Sequence, residues 1–499
     1  FLLIRNTTTT TVHHVIERMT YNRLVDSMRS FKNGAPSSGV YYDGFDEAIG
    51  EEVIEPVQRI SNLNLQNTIN SISSSSGVDI TREFQLGSAI VRHVINDGDR
   101  KPDLWMDDPV IKVGGAKVIC NPIFHPPAFV TARTSAQEFN TLSVRVVEPK
   151  LRAAAAQLKI SDKPKEVLQL MAYAEEFVNH IQAEMYRIYD HQVSVMAWSD
   201  YEMYTYLMEN ECAAKRLIYQ NAEINGFDEE TIIKGFFKGE IQKDSGKARL
   251  IQNLGESANF SVQKIYTPLK KQVFEKLEWF SPGKTPNHIA SQVMDLAKRG
   301  KGLSAGDFEA MDSGYTTLAR DIAIYIVGNF VDDKRIFRQL DLNLRKSVGR
   351  LGGWHWNIGD MTSSGHPHTT LENTVICAFI SYVALRKKYC NLKSEVAYSK
   401  LGVYSGDDSL NETLPNLSQI AAKFGFILKS EEFPADQLSS NRVFPTYLGR
   451  IYIDPLRSPS SIQDLGRTLP KFCFSFSQGN EKQAAVNKAS GLLVSNERT

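Results

Sequence analysis

Cysteine is scarce: five residues (Cys120, Cys212, Cys377, Cys390 and Cys473) are scattered over 499 positions, and no two are spaced as CxxC. That excludes a disulfide framework and a cysteine-held structural zinc, and it fits a reducing compartment. Net charge is lacking as well. Lys plus Arg total 57 against 57 for Asp plus Glu, so bulk charge gives no sign of a nucleic-acid partner and any basic groove must be local. No uninterrupted apolar run reaches the ~20 residues that cross a bilayer. The longest candidate, Val375 to Leu385, reads as a core helix. Internal repeats are missing, and so are histidines at ligand spacing: His13 and His14 lie beside a threonine run, and His125 sits among Pro122, Pro126 and Pro127. The chain opens on Phe1 with no secretory leader pattern, from which a fragment or cleaved product of a longer polyprotein is expected.

What is present suffices for a large core. With 42% hydrophobic residues the chain is expected to be globular, as one lobed unit or two to three smaller domains. Thr7 to Thr11 and the serine cluster Ser71 to Ser76 read as surface loops. From Pro164 to about Asn225 the spacing of Val167, Leu170, Ala174, Phe177 and Ile181 predicts a helical scaffold, with Ser161 or Asp162 as its start signal.

Four segments carry chemistry. In GLSAGDFEAMDSGYT, Asp307 ends a strand-like run and Asp312 follows five residues later. A carboxylate at a strand end is a seat for Mg²⁺, which takes a few carboxylate oxygens and keeps its other positions for water and phosphate; an acidic loop ahead of a helix would look alike. LGVYSGDDSLNE predicts a hairpin whose tight turn holds Gly406, Asp407 and Asp408. Alternation along an extended backbone lets one of the two carboxylates face the ion of Asp307, and Asp407 is assigned that place, with Asp408 auxiliary; an ordinary surface turn is the alternative. In SSGHPHTTLENTVICAFISYVAL, Ser364 and Gly365 precede a helix whose expected buried face is Val375, Ile376, Phe379, Ile380 and Val383. Thr369 and Asn373 project from one side of it, where an amide can bond a ribose 2′-hydroxyl, or where they merely cap and pack. FFKGEIQKDSGKARLIQNLGES interleaves Lys238, Lys243, Lys247 and Arg249 with apolar residues, giving either a local groove for a triphosphate or a solvated hairpin. Each segment is ambiguous alone, but their succession over about 170 residues favours one shared site.

In that order the segments resemble the fingers and palm motifs of RNA-dependent RNA polymerases of positive-strand RNA viruses, over roughly Phe237 to Tyr452; FxKxE, KxRxI and YLGR point to a nodavirus-like or tombusvirus-like member, from whose usual motif B the segment MTSSGHPHTTLENT departs. The resemblance makes Lys238 to Arg249 motif F, Asp307 and Asp312 motif A, Ser364, Gly365, Thr369 and Asn373 motif B, and Gly406, Asp407 and Asp408 motif C. AAKFGFILKSEEF resembles motif D, whose lysine would protonate pyrophosphate, with Lys429 the candidate and Lys423 the alternative; TYLGRIYI, with Tyr447, Leu448 and Arg450, resembles motif E.

The fold so implied is α+β: a right hand of fingers, palm and thumb, with an antiparallel palm sheet flanked by helices. Expected limits are an N-terminal extension or fingers-associated region at 1–150, fingers at 151–300, palm at 301–455 with a fingers insertion, and a small or truncated thumb at 456–499. The implied activity is templated RNA synthesis from ribonucleoside triphosphates with Mg²⁺, or Mn²⁺, held by Asp307, Asp407, Asp408 and the Phe308 carbonyl. Implied partners are RNA template, nascent RNA and other viral replication proteins, in the host cytoplasm at membrane-associated replication complexes. The rivals are a reverse transcriptase, which usually carries a bulky aromatic where Asp312 stands, and a non-catalytic RNA-binding scaffold.

Overall fold

The computed structural model describes residues 141–210, 216, 232–238, 249–351, 354–388, 393–440, 442–464, 468, 474–475 and 480–494, with short strands at 40–42 and 117–118. Lys243, Lys247, His13, His14, His125 and every cysteine but Cys377 lie outside the described residues, as does nearly all of 1–150.

Two adjoining helices open the described chain, α1 (Glu148–Ser161) and α2 (Pro164–Tyr189). The apolar spacing of α2 does what the sequence predicts: Leu170, Ala174, Phe177, Val178, Ile181 and Met185 are buried along one stripe. Its start differs. Pro164 occupies the first turn, as its missing N–H allows, but Ser161 closes α1 and bonds the Gln157 carbonyl at 2.7 Å, so it does not cap α2. Further on come α3 (Glu256–Gln272), α4 (Thr317–Gly328), α5 (Lys334–Arg345), α6 (Thr369–Lys388) and α7 (Leu417–Lys423).

Strands, numbered along the chain, build two main sheets. β1 (Val40–Tyr42), β2 (Ile232–Phe237), β3 (Leu250–Leu254), β5 (Val348–Leu351) and β6 (Trp354–Asn357) form one in the order β1-β6-β5-β2-β3. Trp356 locks it together: its indole lies where a Cβ on Gly349 or Gly235 would fall 2.0 or 2.8 Å from ring atoms, and its N–H donates to Gln252 Oε1 at 3.1 Å. The second sheet holds β4 (Leu303–Glu309), β7 (Val403–Ser405), β8 (Asp408–Glu412) and β9 (Ile427–Phe433) in the order β9-β4-β8-β7, antiparallel throughout. A smaller sheet follows, β10 (Thr446–Tyr447), β11 (Arg450–Ile451) and β12 (Ile462–Gln463); Leu448 and Gly449, both at positive φ, make the turn of the YLGR hairpin.

Helix α6 is the centre of the molecule. The sequence assigns it one buried face, whereas every residue from Leu371 to Leu385 is buried. The reason is its neighbours: α2, α4, α7 and β7 all pack against it, so no side is left for solvent. No described helix is long and apolar enough to cross a membrane.

A fully buried helix can carry a charge only if that charge is partnered. Glu372 is wholly buried on α6 and receives the Tyr266 hydroxyl at 2.6 Å and an Arg320 guanidinium hydrogen bond. Arg320 in turn donates to Asp341 Oδ1 at 2.7 and 3.0 Å, and Arg345 donates to Asp341 Oδ2 at 2.8 Å. This chain of bonds ties α3, α4, α5 and α6 together.

Beside it lies His368, whose pKa falls to about 3, through burial first and the Arg320 charge second. Its folded value is below the unfolded one, so from about pH 6.5 downward the unfolded chain takes up a proton that the folded chain refuses, and stability drops at roughly 1.4 kcal/mol per pH unit. Wild-type protein is therefore expected to lose about 2 kcal/mol more than His368→Gln between pH 6.5 and 5, read from urea unfolding. Equal losses would place the acid sensitivity elsewhere.

Candidate active site

The catalytic candidates collect at one end of the β9-β4-β8-β7 sheet. Across β4 and β8, Asp307 is paired directly with Asp408, and across β4 and β9 it is paired with Lys429. Opposed residues of an antiparallel pair point to the same face. Asp408 therefore shares the face of Asp307. Strand alternation had assigned Asp407 to that role; instead, Asp407 sits in the two-residue turn between β7 and β8, where alternation does not hold. Gly406 makes that turn possible at φ +62°. The Asp407 carbonyl accepts the Phe308 amide at 3.1 Å, fastening the turn to β4.

Electrostatics show how close the acids lie. The Asp407 carboxyl is reached by solvent yet crowded by protein, and this desolvation, followed by the charges of Asp312, Asp408 and Asp307, pushes its pKa up to about 7. Three carboxylates from two segments thus bear on Asp407 at one place. Among the described residues no group of three or more His, Cys, Asp or Glu side chains is disposed as a ready-made metal cage. A hard ion such as Mg²⁺ takes one or two protein carboxylates and fills its shell with water and substrate phosphate. The mutual repulsion is the charge that such an ion would neutralise, and the donor set is oxygen only.

Asp312 is held from several sides. Asn373 Nδ2 donates to Asp312 Oδ1 at 2.6 Å, and the Ser364 hydroxyl donates to Oδ2. The Asn373 amide is oriented by the Tyr315 hydroxyl, which donates to its oxygen at 2.8 Å. Burial raises the Asp312 pKa, while Ser364, Asn373 and the charges of Arg249 and Arg145 oppose that rise. Thr369 is elsewhere: its hydroxyl donates to the Ser363 carbonyl at 2.7 Å, closing the loop ahead of α6. Gly365 in that loop has φ +100°, and the Gln252 amide on β3 donates to the Ser364 carbonyl at 2.7 Å.

Of the basic segment, Lys238 and Arg249 are described. They flank the β2–β3 hairpin, Lys238 N–H donating to the Arg249 carbonyl at 2.9 Å. The two lysines of AAKFGFILKSEEF part company. Lys429 lies beside Asp307 with its ammonium 2.7 Å from Glu309, whereas Lys423 joins Lys387 on Glu166 of α2, whose pKa falls to about 2, chiefly through the Lys423 hydrogen bond. Tyr447 bonds Ser281 at 3.0 Å and is buried.

Sequence reasoning missed Arg145, Tyr315, Thr374 and Cys377. Thr374 and Cys377 had a signal: polar residues inside an otherwise apolar helix, next to Asn373 and one turn beyond it. Arg145, in a single π-helical turn before α1, had none.

No protein-family model matches the chain. Among curated proteins it is similar to the RNA-directed RNA polymerase of Nodamura virus, 28% identical over 278 residues, covering 53% of this chain and 26% of that protein. It is also similar to that of Atlantic halibut nervous necrosis virus, 28% identical over 335 residues, covering 64% of this chain and 32% of that one. The matched stretches thus make up about a third or less of those relatives' own length. Among solved structures, an insertion-loop deletion mutant of the RNA-dependent RNA polymerase of a human picobirnavirus superposes with a TM-score of 0.50 and 11% identity, covering 70% of this chain and 81% of that chain. In sequence, then, the chain resembles the RNA-directed RNA polymerases of nodaviruses, and its fold is the right hand of viral RNA-dependent RNA polymerases.

Proposed function

We propose that the chain performs template-directed RNA synthesis from ribonucleoside triphosphates by nucleotidyl transfer with divalent ions, replicating and transcribing a viral RNA genome. One observation carries this reading: Asp307 and Asp408 oppose each other on one face of β4 and β8, and Asp407 stands in the adjoining turn fastened to Phe308, so that carboxylates of two distant segments gather at one sheet end. Asp307, Asp407, Asp408 and the Phe308 carbonyl would hold Mg²⁺ or Mn²⁺, whose chemistry is to acidify the attacking 3′-hydroxyl and to neutralise charge on the triphosphate.

The chain's own groups do the remainder. Asp312, oriented by Ser364 and Asn373, accepts the ribose 2′-hydroxyl. Lys238 and Arg249, with Lys243 and Lys247 of the same segment, draw in the triphosphate. Lys429, on the Asp307 face, gives its proton to departing pyrophosphate. The division into fingers at 151–300, palm at 301–455 and thumb at 456–499 belongs to this proposal. So does work in the host cytoplasm, at membrane-associated replication complexes and beside other viral proteins.

Primer extension on an RNA template with four ribonucleotides tests the reading. Product that follows the template and needs a divalent ion is expected. Its absence with both Mg²⁺ and Mn²⁺ overturns the proposal. In the same assay Asp312→Ala is expected to reduce the preference for ribo- over deoxyribonucleotides by about 10- to 100-fold, the worth of one hydrogen bond to a charged acceptor. An unchanged preference removes the sugar contact and leaves the polymerase reading standing.

A further inference from the structure

Gly406, at the head of the catalytic turn, has both of its main-chain polar groups bound by one helix. Its N–H donates to Thr374 Oγ1 at 2.8 Å, and its carbonyl accepts from the Cys377 thiol at 3.1 Å. Thr374 keeps its hydroxyl in place by donating to the Thr370 carbonyl at 2.5 Å. Cys377 is enclosed on its other side by Met311, the residue before Asp312, with the two sulfurs 3.7 Å apart. Thr374 follows Asn373 directly, and Cys377 stands four residues beyond it, one helical turn along α6.

Two tethers matter because of what remains free without them. A two-residue hairpin turn has few backbone bonds of its own, and the Asp407 carbonyl is already taken by Phe308. With Gly406 fixed at both ends, only the side-chain torsions of Asp407 stay adjustable. With Gly406 released, the peptide between Gly406 and Asp407 can rotate, and the carboxylate swings with it. A hydroxyl and a thiol bonded to the two main-chain groups of one glycine act as a positioning device.

We propose that Thr374 and Cys377 are positioning residues that aim the Asp407 carboxylate by holding both main-chain groups of Gly406, so that the helix bonded to the ribose-reading Asp312 also sets the ion-binding turn. The inference rests on the polymerase reading for its purpose, but its geometry concerns ion binding and can be measured without synthesis.

The test is a Mn²⁺ titration of the full chain followed by electron paramagnetic resonance, with thermal unfolding run in parallel. Removing a group that orients a metal ligand costs about 10- to 100-fold in affinity or rate. Thr374→Val is expected to weaken Mn²⁺ binding by about tenfold at an unfolding temperature close to that of wild type, and Thr374→Ser to restore it. In primer extension, Thr374→Val is expected to lower kcat by about tenfold and to leave KM for the ribonucleotide within a factor of about three. Cys377→Ala supplies the second variant, with the same direction, should Thr374→Val fail to fold. Mn²⁺ curves that overlay wild type in a folded Thr374→Val or Cys377→Ala protein overturn the positioning role, whether or not the wild type polymerises. Wild-type protein that binds Mn²⁺ in a Thr374-dependent way but makes no templated product would instead sink the polymerase reading and leave this one intact.

Discussion

Asp407→Asn and Asp307→Asn are each expected to reduce templated nucleotide incorporation by about 10³-fold or more, some 4 kcal/mol of transition-state stabilisation. Asparagine keeps the shape and removes the charge, so an ion bound at that sheet end loses its main anchor. The pair is expected to act as a unit: the double variant is hardly worse than either single one, because residues that hold the same ions do not contribute additively. Asp408→Asn is expected to lower synthesis as well, since Asp408 lies across from Asp307 on the same face. Folding is not the cause of the loss. The charges of Asp312, Asp408 and Asp307 all bear on Asp407, so removing its charge relieves repulsion. In chelator, Asp407→Asn is therefore expected to unfold at the same temperature as wild type or above it. Undiminished synthesis by either asparagine variant ends the assignment of these carboxylates, and an inactive variant that melts well below wild type would make the loss a folding defect.

The elements that hold these acids were legible in the sequence where the local signal was complete. Period-four spacing placed α2, and Gly-Asp-Asp between alternating residues placed the β7–β8 turn. That Asp312, Ser364 and Asn373 belong to one site was expected from the family resemblance, whereas the hydrogen bonds that join them come from the fold. What could not be seen was register. Whether Asp407 or Asp408 opposes Asp307 depends on a one-residue choice in the pairing of β4 with β8, and alternation cannot fix it next to a turn. The separation of Lys423 from Lys429 is of the same kind: both are four or more residues from any motif anchor, and only the path of α7 sends Lys423 to Glu166 while β9 lays Lys429 beside Asp307. The basic segment shows a third limit, since the charge of Arg249, which leads into the edge strand of a sheet whose order β1-β6-β5-β2-β3 no local pattern announces, bears on Asp312.

Glu372 gave the clearest unused signal, an acid within an apolar helix, and the largest effect on stability is expected from its partner. Arg320 is 1% exposed and lies between Glu372, 0% exposed, and Asp341, 4% exposed. Burial alone would lower the Arg320 pKa, but the two carboxylates outweigh it and hold the guanidinium charged; burial raises the Glu372 pKa, and Arg320 and the Tyr266 hydroxyl pull against that rise. Arg320→Met keeps the volume and removes the charge, leaving two buried acids with only Arg345 at the rim beside Asp341 and the His368 imidazole 3.8 Å from Glu372 among the described residues. The cost of such a half-broken pair is about 3–5 kcal/mol, read as a lower urea midpoint at unchanged slope. Converting the acids as well, Glu372→Gln with Asp341→Asn in the Arg320→Met background, is expected to recover part of the loss, because an uncharged amide is cheaper to bury than a stranded carboxylate. Asn373 follows Glu372 on the same helix, so the single variant is also expected to loosen the grip on Asp312 and to blunt sugar discrimination before it abolishes synthesis. A wild-type urea midpoint in Arg320→Met would mean that α6 is held by its apolar contacts alone, and the link from this ionic network to the ribose site would fall with it.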